Sequence, residues 1–289
     1  MKKLQVPYNL DKELLPFYED YKMGIKEVYF AAPSDIYPTA RRIDYEGSTE
    51  EHISHLIKVC DFLYNIHIES YVLLNGSTVL LTDEVINNIK KMLDRLNDHH
   101  LTGVIISNPI FGDWIKNNYS NFKIKLSVLS NINRLESIKQ LDTLDIFDEI
   151  CLSNSAINRI EEVKENKKEC KMKIGVIVNS GCRQDCPLYG WHHQFFSNRN
   201  MGHQTEQLEK SFWNMTLKLR QDCENSPHIL PEDLYKYDDI FDIFKLEGRD
   251  LSTPILMSHI ASYVNRINPK KLWLCNAGSC QKDRLDIKI

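Results

Sequence analysis

Short, nearly continuous apolar runs recur along the chain: EVYFAA from Glu27, SYVLLN from Ser70, GVIIS from Gly103, KIKLSVL from Lys123, DEICLS from Asp148 and MKIGVIVN from Met172. Such runs suit strands covered on both faces, the condition of a parallel sheet. Between them the spacing changes. Ile53, Leu56, Ile57, Cys60 and Leu63 recur at helical intervals behind a capping box formed by Ser48 and Glu51. Val85, Ile86, Ile89, Met92, Leu93 and Leu96 predict a second helix after Thr82. Shorter stripes follow at Leu135, Ile138 and Leu141, and at Ile157, Ile160 and Val163.

Strand alternating with helix implies βαβ units. Two further runs, HILP from His228 and IFDIFKL from Ile240, bring the expected strands to about eight, which fits a TIM-barrel-like (β/α)8 domain. The competing architecture is an open doubly wound sheet. It calls for a glycine-rich phosphate loop after the first strand, and FAAPSDIYPTARR has no glycine. The expected organisation is therefore one barrel domain over residues 1–289, with a long Cys/His-containing insertion at 183–237 after the sixth predicted strand and a tail at 266–289. The insertion carries its own helical stripe near SFWNMTLKLRQ, and another helix opens at Thr253 with Pro254 in its first turn.

Polar residues gather just past the predicted strand ends, at Asn75, Asn108, Asn131, Asn133, Asn154 and Asn179. In a barrel these positions share the ligand-binding face, although asparagine is also a common turn residue. Arg41 and Arg42, in the loop after the first predicted strand, join that face as candidate anion clamps.

Hydrophobic residues are 42% of the chain and charged residues 26%, the balance of a globular protein with a sizeable core. The 40 acidic and 36 basic residues are mixed along the chain, so no basic stripe marks a nucleic-acid backbone as partner. No run reaches the ~20 apolar residues of a membrane helix, and the N-terminus lacks the apolar core of a signal peptide. The expected location is cytoplasmic. In a reducing compartment the eight cysteines are free thiols, metal ligands or catalytic groups rather than disulfides.

Cys60 falls on a helix stripe and Cys151 inside a strand, as small buried hydrophobes do, and Cys170 stands beside a strand start. Cys182 and Cys186 differ, because they follow a strand end in NSGCRQDCPLYGWHH. With Cys223 in the insertion and Cys275 and Cys280 in the tail, they supply enough soft ligands for an iron–sulfur cluster or for zinc. Lys245, Glu247 and Arg249 alternate along one predicted strand and so share a face. That face is either a structural network or a charged substrate site. No His-Glu-x-x-His or Gly-x-Ser-x-Gly motif occurs to supply a hydrolytic centre.

The stretch from Asn179 through Gly181, Cys182, Cys186 and Pro187 to His192 resembles the collagenase-like U32 peptidase family. ILPEDLYKYDDI and FKLEGR are similar to two further motifs of that family. The resemblance implies a TIM-barrel-like fold. Through members related to ubiquinone-synthesis and RNA-hydroxylation proteins, it also implies a 4Fe-4S cluster held by Cys182, Cys186 and Cys223. The fourth ligand is assigned by cysteine count alone to Cys280 or Cys275. Asn179 then belongs beside the cofactor, and His192, Lys245, Glu247 and Arg249 are the candidate catalytic residues. The functions carried forward are an oxygen-independent hydroxylase or related redox enzyme acting on a small molecule or RNA base, a U32-type peptidase, and a non-catalytic iron–sulfur subunit serving a protein partner.

Overall fold

The computed structural model describes residues 4–39, 45–76, 78–132, 134–180, 187–200, 206–219 and 228–267. Eight parallel strands close into a barrel in sequence order: β1 (Leu4–Pro7), β2 (Ile25–Ala31), β3 (Glu69–Leu74), β4 (Gly103–Ile106), β5 (Lys123–Leu126), β6 (Glu149–Leu152), β7 (Lys173–Ile177) and β8 (Ile243–Lys245). The helices are α1 (Leu14–Asp20), α2 (Thr49–Asn65), α3 (Asp83–Asn97), α4 (Pro109–Asn118), α5 (Leu135–Asp142), α6 (Ile160–Glu169), α7 (Tyr189–Asn200), α8 (Glu206–Leu219) and α9 (Thr253–Asn265).

The barrel closes through a strand that the hydrophobic pattern does not announce. β1 pairs with both β2 and β8, through Gln5 with Glu27 and Gln5 with Lys245. HILP, expected as a strand, is not one. Ile229 donates a single backbone hydrogen bond to the Val178 carbonyl (3.0 Å), and Pro231 then opens a 3-10 turn through Tyr237. A proline lacks the N–H that a ladder needs, so the run is diverted before it can pair. The long insertion accordingly follows β7 rather than a sixth strand. The Ile157–Val163 stripe also divides, into a 3-10 turn (Asn154–Arg159) and α6.

The caps explain where helices begin. Ser48 Oγ accepts from the Glu51 amide (3.2 Å) and the Glu51 carboxylate accepts from the Ser48 amide (2.7 Å), so the α2 capping box is complete. Asn108 caps α4 by accepting from the Ile110 amide (2.9 Å), and Asn131 takes a left-handed turn. Both asparagines therefore serve local structure. Cys60 and Cys151 are buried free thiols, and Cys170 donates to Asn166 Oδ1 (3.0 Å).

Strand alternation sorts the core into two compartments. Outward residues such as Val28, Phe30, Val72, Leu74, Val104, Ile106, Val176 and Phe244 pack with the helices into one large apolar cluster. The inward residues Tyr29, Tyr71, Leu73 and Ile105 form a second cluster, and Val128, Cys151 and Ile177 a third. Gly103 shows how tightly the wall is built, since a Cβ there would lie 1.9 Å from the Lys123 carbonyl oxygen.

Toward the N-terminal ends of the strands the interior is charged. The Lys125 ammonium, almost fully buried, bridges the Glu27 carboxylate and Glu149 (2.7 Å) and sits 4.2 Å above the Tyr71 ring. Gln5 donates to Glu27 (2.6 Å), Lys26 approaches it at 3.0 Å, and Glu69 accepts from Lys123 and Tyr71, each at 2.7 Å. Burial opposes ionisation of all three central groups. For Lys125 the two carboxylates outweigh it and hold the ammonium above the usual lysine range, and for Glu27 the Lys125 and Lys26 charges hold the carboxyl below its usual value. Burial prevails at Glu149, whose pKa is raised. No helix among the described residues is long and apolar enough to cross a membrane.

Candidate functional site

At the opposite, C-terminal end of the strands a cavity of about 40 Å³, room for a few water-sized groups, opens in the barrel mouth. Its floor and walls come from Tyr29, Leu73, Asn75, Ser127, Ile177 and Lys245, and its upper part includes His193, Glu247 and Arg249. This is the end at which barrel enzymes place their chemistry, because each strand delivers a side chain there on a rigid support while the following loop stays adaptable.

Tyr29 organises the floor. Its hydroxyl donates to the Leu246 carbonyl (2.7 Å), which fixes the ring, and the ring face receives the Lys245 ammonium at 4.3 Å and the Arg249 guanidinium at 5.9 Å. Both cations are buried, Lys245 to 6% exposure and Arg249 to 7%. Burial pushes the Lys245 amine below the usual lysine range, against the pull of Cys151 and Glu149. Asn75 donates to Ser127 Oγ (3.2 Å), which also accepts from the Leu129 amide (3.2 Å). Cys151, beneath the floor, has its thiol pushed up to about 12 by burial and is a poor nucleophile at neutral pH.

Asn179 holds the site together without lining it. Fully buried just past β7, it donates to the Glu247 carbonyl (3.0 Å) and accepts from the Glu247 amide (2.7 Å). This two-bond joint seats the residue that follows Leu246 and leaves the Glu247 side chain to the cavity. The expected strand through Arg249 stops at Lys245, where β8 ends, and it is the loop beyond, turning at Gly248, that brings Glu247 and Arg249 to the cavity that Lys245 lines.

The histidines are placed less simply. His192 and His193 open α7 rather than a loop, and neighbours on a helix point about 100° apart. His193 lines the cavity. His192 instead packs against Phe196 and Phe212, at ring separations of 4.9 and 5.1 Å. A second histidine that the spacing did not single out, His228, lies near enough to Glu247 to feel its charge, although burial still lowers its pKa. Cys182, Cys186, Cys223, Cys275 and Cys280, with Arg41, Arg42 and Asn133, lie outside the described residues. Among the described residues no group of three or more His, Cys, Asp or Glu side chains is arranged to hold a metal ion.

Comparison with known proteins finds relatives of the sequence and solved structures with a similar fold. The model of Peptidase family U32 matches residues 16–183, more than half of the chain, and the match ends at the first residues of the cysteine-rich stretch. An uncharacterized protease of Methanocaldococcus jannaschii is 28% identical over 250 residues, spanning 83% of this chain and 71% of that protein. Among solved structures, the U32 peptidase Mk0906 superposes with a TM-score of 0.62 at 14% identity, over 86% of this chain and 93% of that one. Tryptophan synthase of M. tuberculosis follows at 0.52 and 10% identity, covering 93% of each chain, a likeness of fold alone. Sequence match and barrel agree: the chain belongs to the U32 peptidase family.

Proposed function

We propose that this protein is an iron–sulfur enzyme of the U32 family, an oxygen-independent hydroxylase or related redox catalyst, working on a small molecule or RNA base in the barrel mouth. The observation that supports it most is the pairing of two buried cations, Lys245 and Arg249, over one Tyr29 ring in a cavity at the catalytic end of the barrel. Holding buried basic groups in their charged form is costly, and an anion brought beside them lowers that cost. A cluster with four thiolates carries net negative charge, and so does an acidic or phosphorylated substrate, so the described lining suits both.

In this reading Cys182, Cys186, Cys223 and either Cys280 or Cys275 hold a 4Fe-4S cluster, whose chemistry when bound is one-electron transfer at a potential set by its charge and surroundings. The described residues do the rest. Lys245 and Arg249 bind and orient an oxygen-bearing substrate group, and His193 and Glu247 hold or move a proton beside it. Leu73, Ile177 and Val128 limit water at the floor. Asn179 fixes the backbone from which Glu247 projects.

The relatives' names favour a second reading, a peptidase. Its hydrolytic groups would be drawn from the same wall, with Ser127, His193 and Glu247 as the available set. One preparation separates the readings. Protein purified anaerobically is expected to be brown and to hold about four iron and four sulfide per chain. Zinc alone, or neither metal nor sulfide, overturns the cluster. Cleavage of a peptide by metal-free protein would establish the peptidase in its place.

A further inference from the structure

Lys245 differs from Lys125, the other buried lysine described. Lys125, its counterpart at the far end of the barrel, is neutralised by two carboxylates. Lys245 is 6% exposed, yet among the described residues no carboxylate lies within ion-pair range of its Nζ and no hydrogen bond engages it. Its contact is the Tyr29 ring face, which also receives Arg249, a like charge that acts on it, and Lys245 lines the cavity. A desolvated amine beside a second cation, with room in front of it, is the arrangement that makes lysine a nucleophile.

We propose that Lys245 captures a small carbonyl compound with an acidic arm, such as a 2-oxo acid, as a covalent imine in the barrel mouth. The Nζ lone pair attacks the carbonyl carbon, and the resulting carbinolamine loses its hydroxyl as water while nitrogen gives up its protons. Amine and carbonyl become imine and water, and no oxidant or reductant is consumed. Glu247, on the same wall, takes a proton from the nitrogen and passes it to the departing hydroxyl, and Arg249 takes the carboxylate of the arm.

The ionisable groups that surround Nζ are Tyr29 from β2, Lys125 from β5, Glu149 and Cys151 from β6, and Glu247 and Arg249 beyond β8. Burial comes first among the influences on the amine and lowers its pKa, Cys151 and Glu149 come next and oppose it, and Arg249 and Lys125 act with burial. The free amine therefore persists to lower pH than on a surface lysine, and each unit of that lowering raises its neutral-pH fraction about tenfold.

The inference does not depend on the cluster. Anaerobically purified full-length protein is mixed with glyoxylate and cyanoborohydride at pH 7, and the carboxymethyl adducts are located by peptide mass spectrometry. Lys245 is expected to be labelled about tenfold or more faster than an exposed lysine such as Lys171, with its half-labelling pH shifted down. Lys245→Arg, which keeps the charge but cannot form the imine, should lose this adduct alone. Arg249→Gln should slow labelling by glyoxylate and spare labelling by acetaldehyde, which has no carboxylate. Adducts confined to exposed lysines in the wild-type protein overturn the proposal, a result that stands even where a variant fails to fold. Iron measured in the same sample reports on the cluster separately.

Discussion

Replacing Lys125 by Met tests the charged floor of the barrel. The substitution keeps the length of the side chain and removes the charge between Glu27 and Glu149, whose side chains are 0% and 3% exposed. Removing one partner from a buried ion pair costs about 3–5 kcal/mol, because the remaining charge is left in a poor solvent. Protonation sets a ceiling on the Glu149 share. From an ordinary pKa of 4.5, taking up a proton costs ~3.4 kcal/mol at pH 7 and ~1.4 kcal/mol at pH 5.5. Burial raises the Glu149 pKa in the wild-type fold already, and loss of the Lys125 charge raises it further, so as pH falls the variant gains more stability than the wild type. Guanidinium unfolding followed by circular dichroism should thus show a deficit of about 3–5 kcal/mol at pH 7, shrinking by at most about 2 kcal/mol at pH 5.5. Glu149→Gln, which removes a charge that burial already opposes, should lose less than Lys125→Met and flatten the pH dependence. A deficit below about 1 kcal/mol at pH 7, or one that does not change with pH, would refute the reasoning.

Four further outcomes are expected. Asn179→Leu leaves the Glu247 amide and carbonyl without their partner in a buried joint, and unfolding should register a loss of about 2–3 kcal/mol. Gly103→Ala forces a methyl into the Lys123 backbone and should sharply reduce soluble yield and thermal stability. Cys182→Ala or Cys186→Ala should abolish the brown colour and lower iron per chain, whereas Cys60→Ala should leave iron unchanged and cost about 1–2 kcal/mol of packing. His52, with a pKa pushed down to about 4 by burial, is carried neutral in the fold. Stability is then present above the unfolded value near 6.5 and lost as pH falls toward 4, and His52→Phe should reduce that acid sensitivity in a pH-unfolding series.

Most of the barrel is legible because its outward residues are apolar at every second position, and six runs read as strands without reference to pairing. β1 escapes because LQVP offers only Leu4 and Val6 to the helix layer, while Gln5 turns inward to Glu27 and Pro7 resembles an ending. HILP misleads for the converse reason: apolar content is there, but the backbone after Leu230 cannot pair. The inward charges are hidden too. Glu27, Glu69, Lys125 and Glu149 read as strand flanks until closure brings them together across the barrel. Lys245, Glu247 and Arg249 line one cavity although β8 ends at Lys245, so the loop and not a period of two joins them, and no spacing says which of two successive histidines faces the cavity, since that depends on where α7 begins.

The Asn179 joint has a consequence for how this site can vary among descendants of the same fold. Both of its bonds go to the main chain of residue 247, so the carboxylate there can be exchanged for another side chain while the seat that presents it stays the same. The asparagine has no such latitude, because only a side-chain amide can donate and accept in that geometry. The side chain that lines the cavity at position 247 can therefore be exchanged in single steps, while position 179 remains fixed.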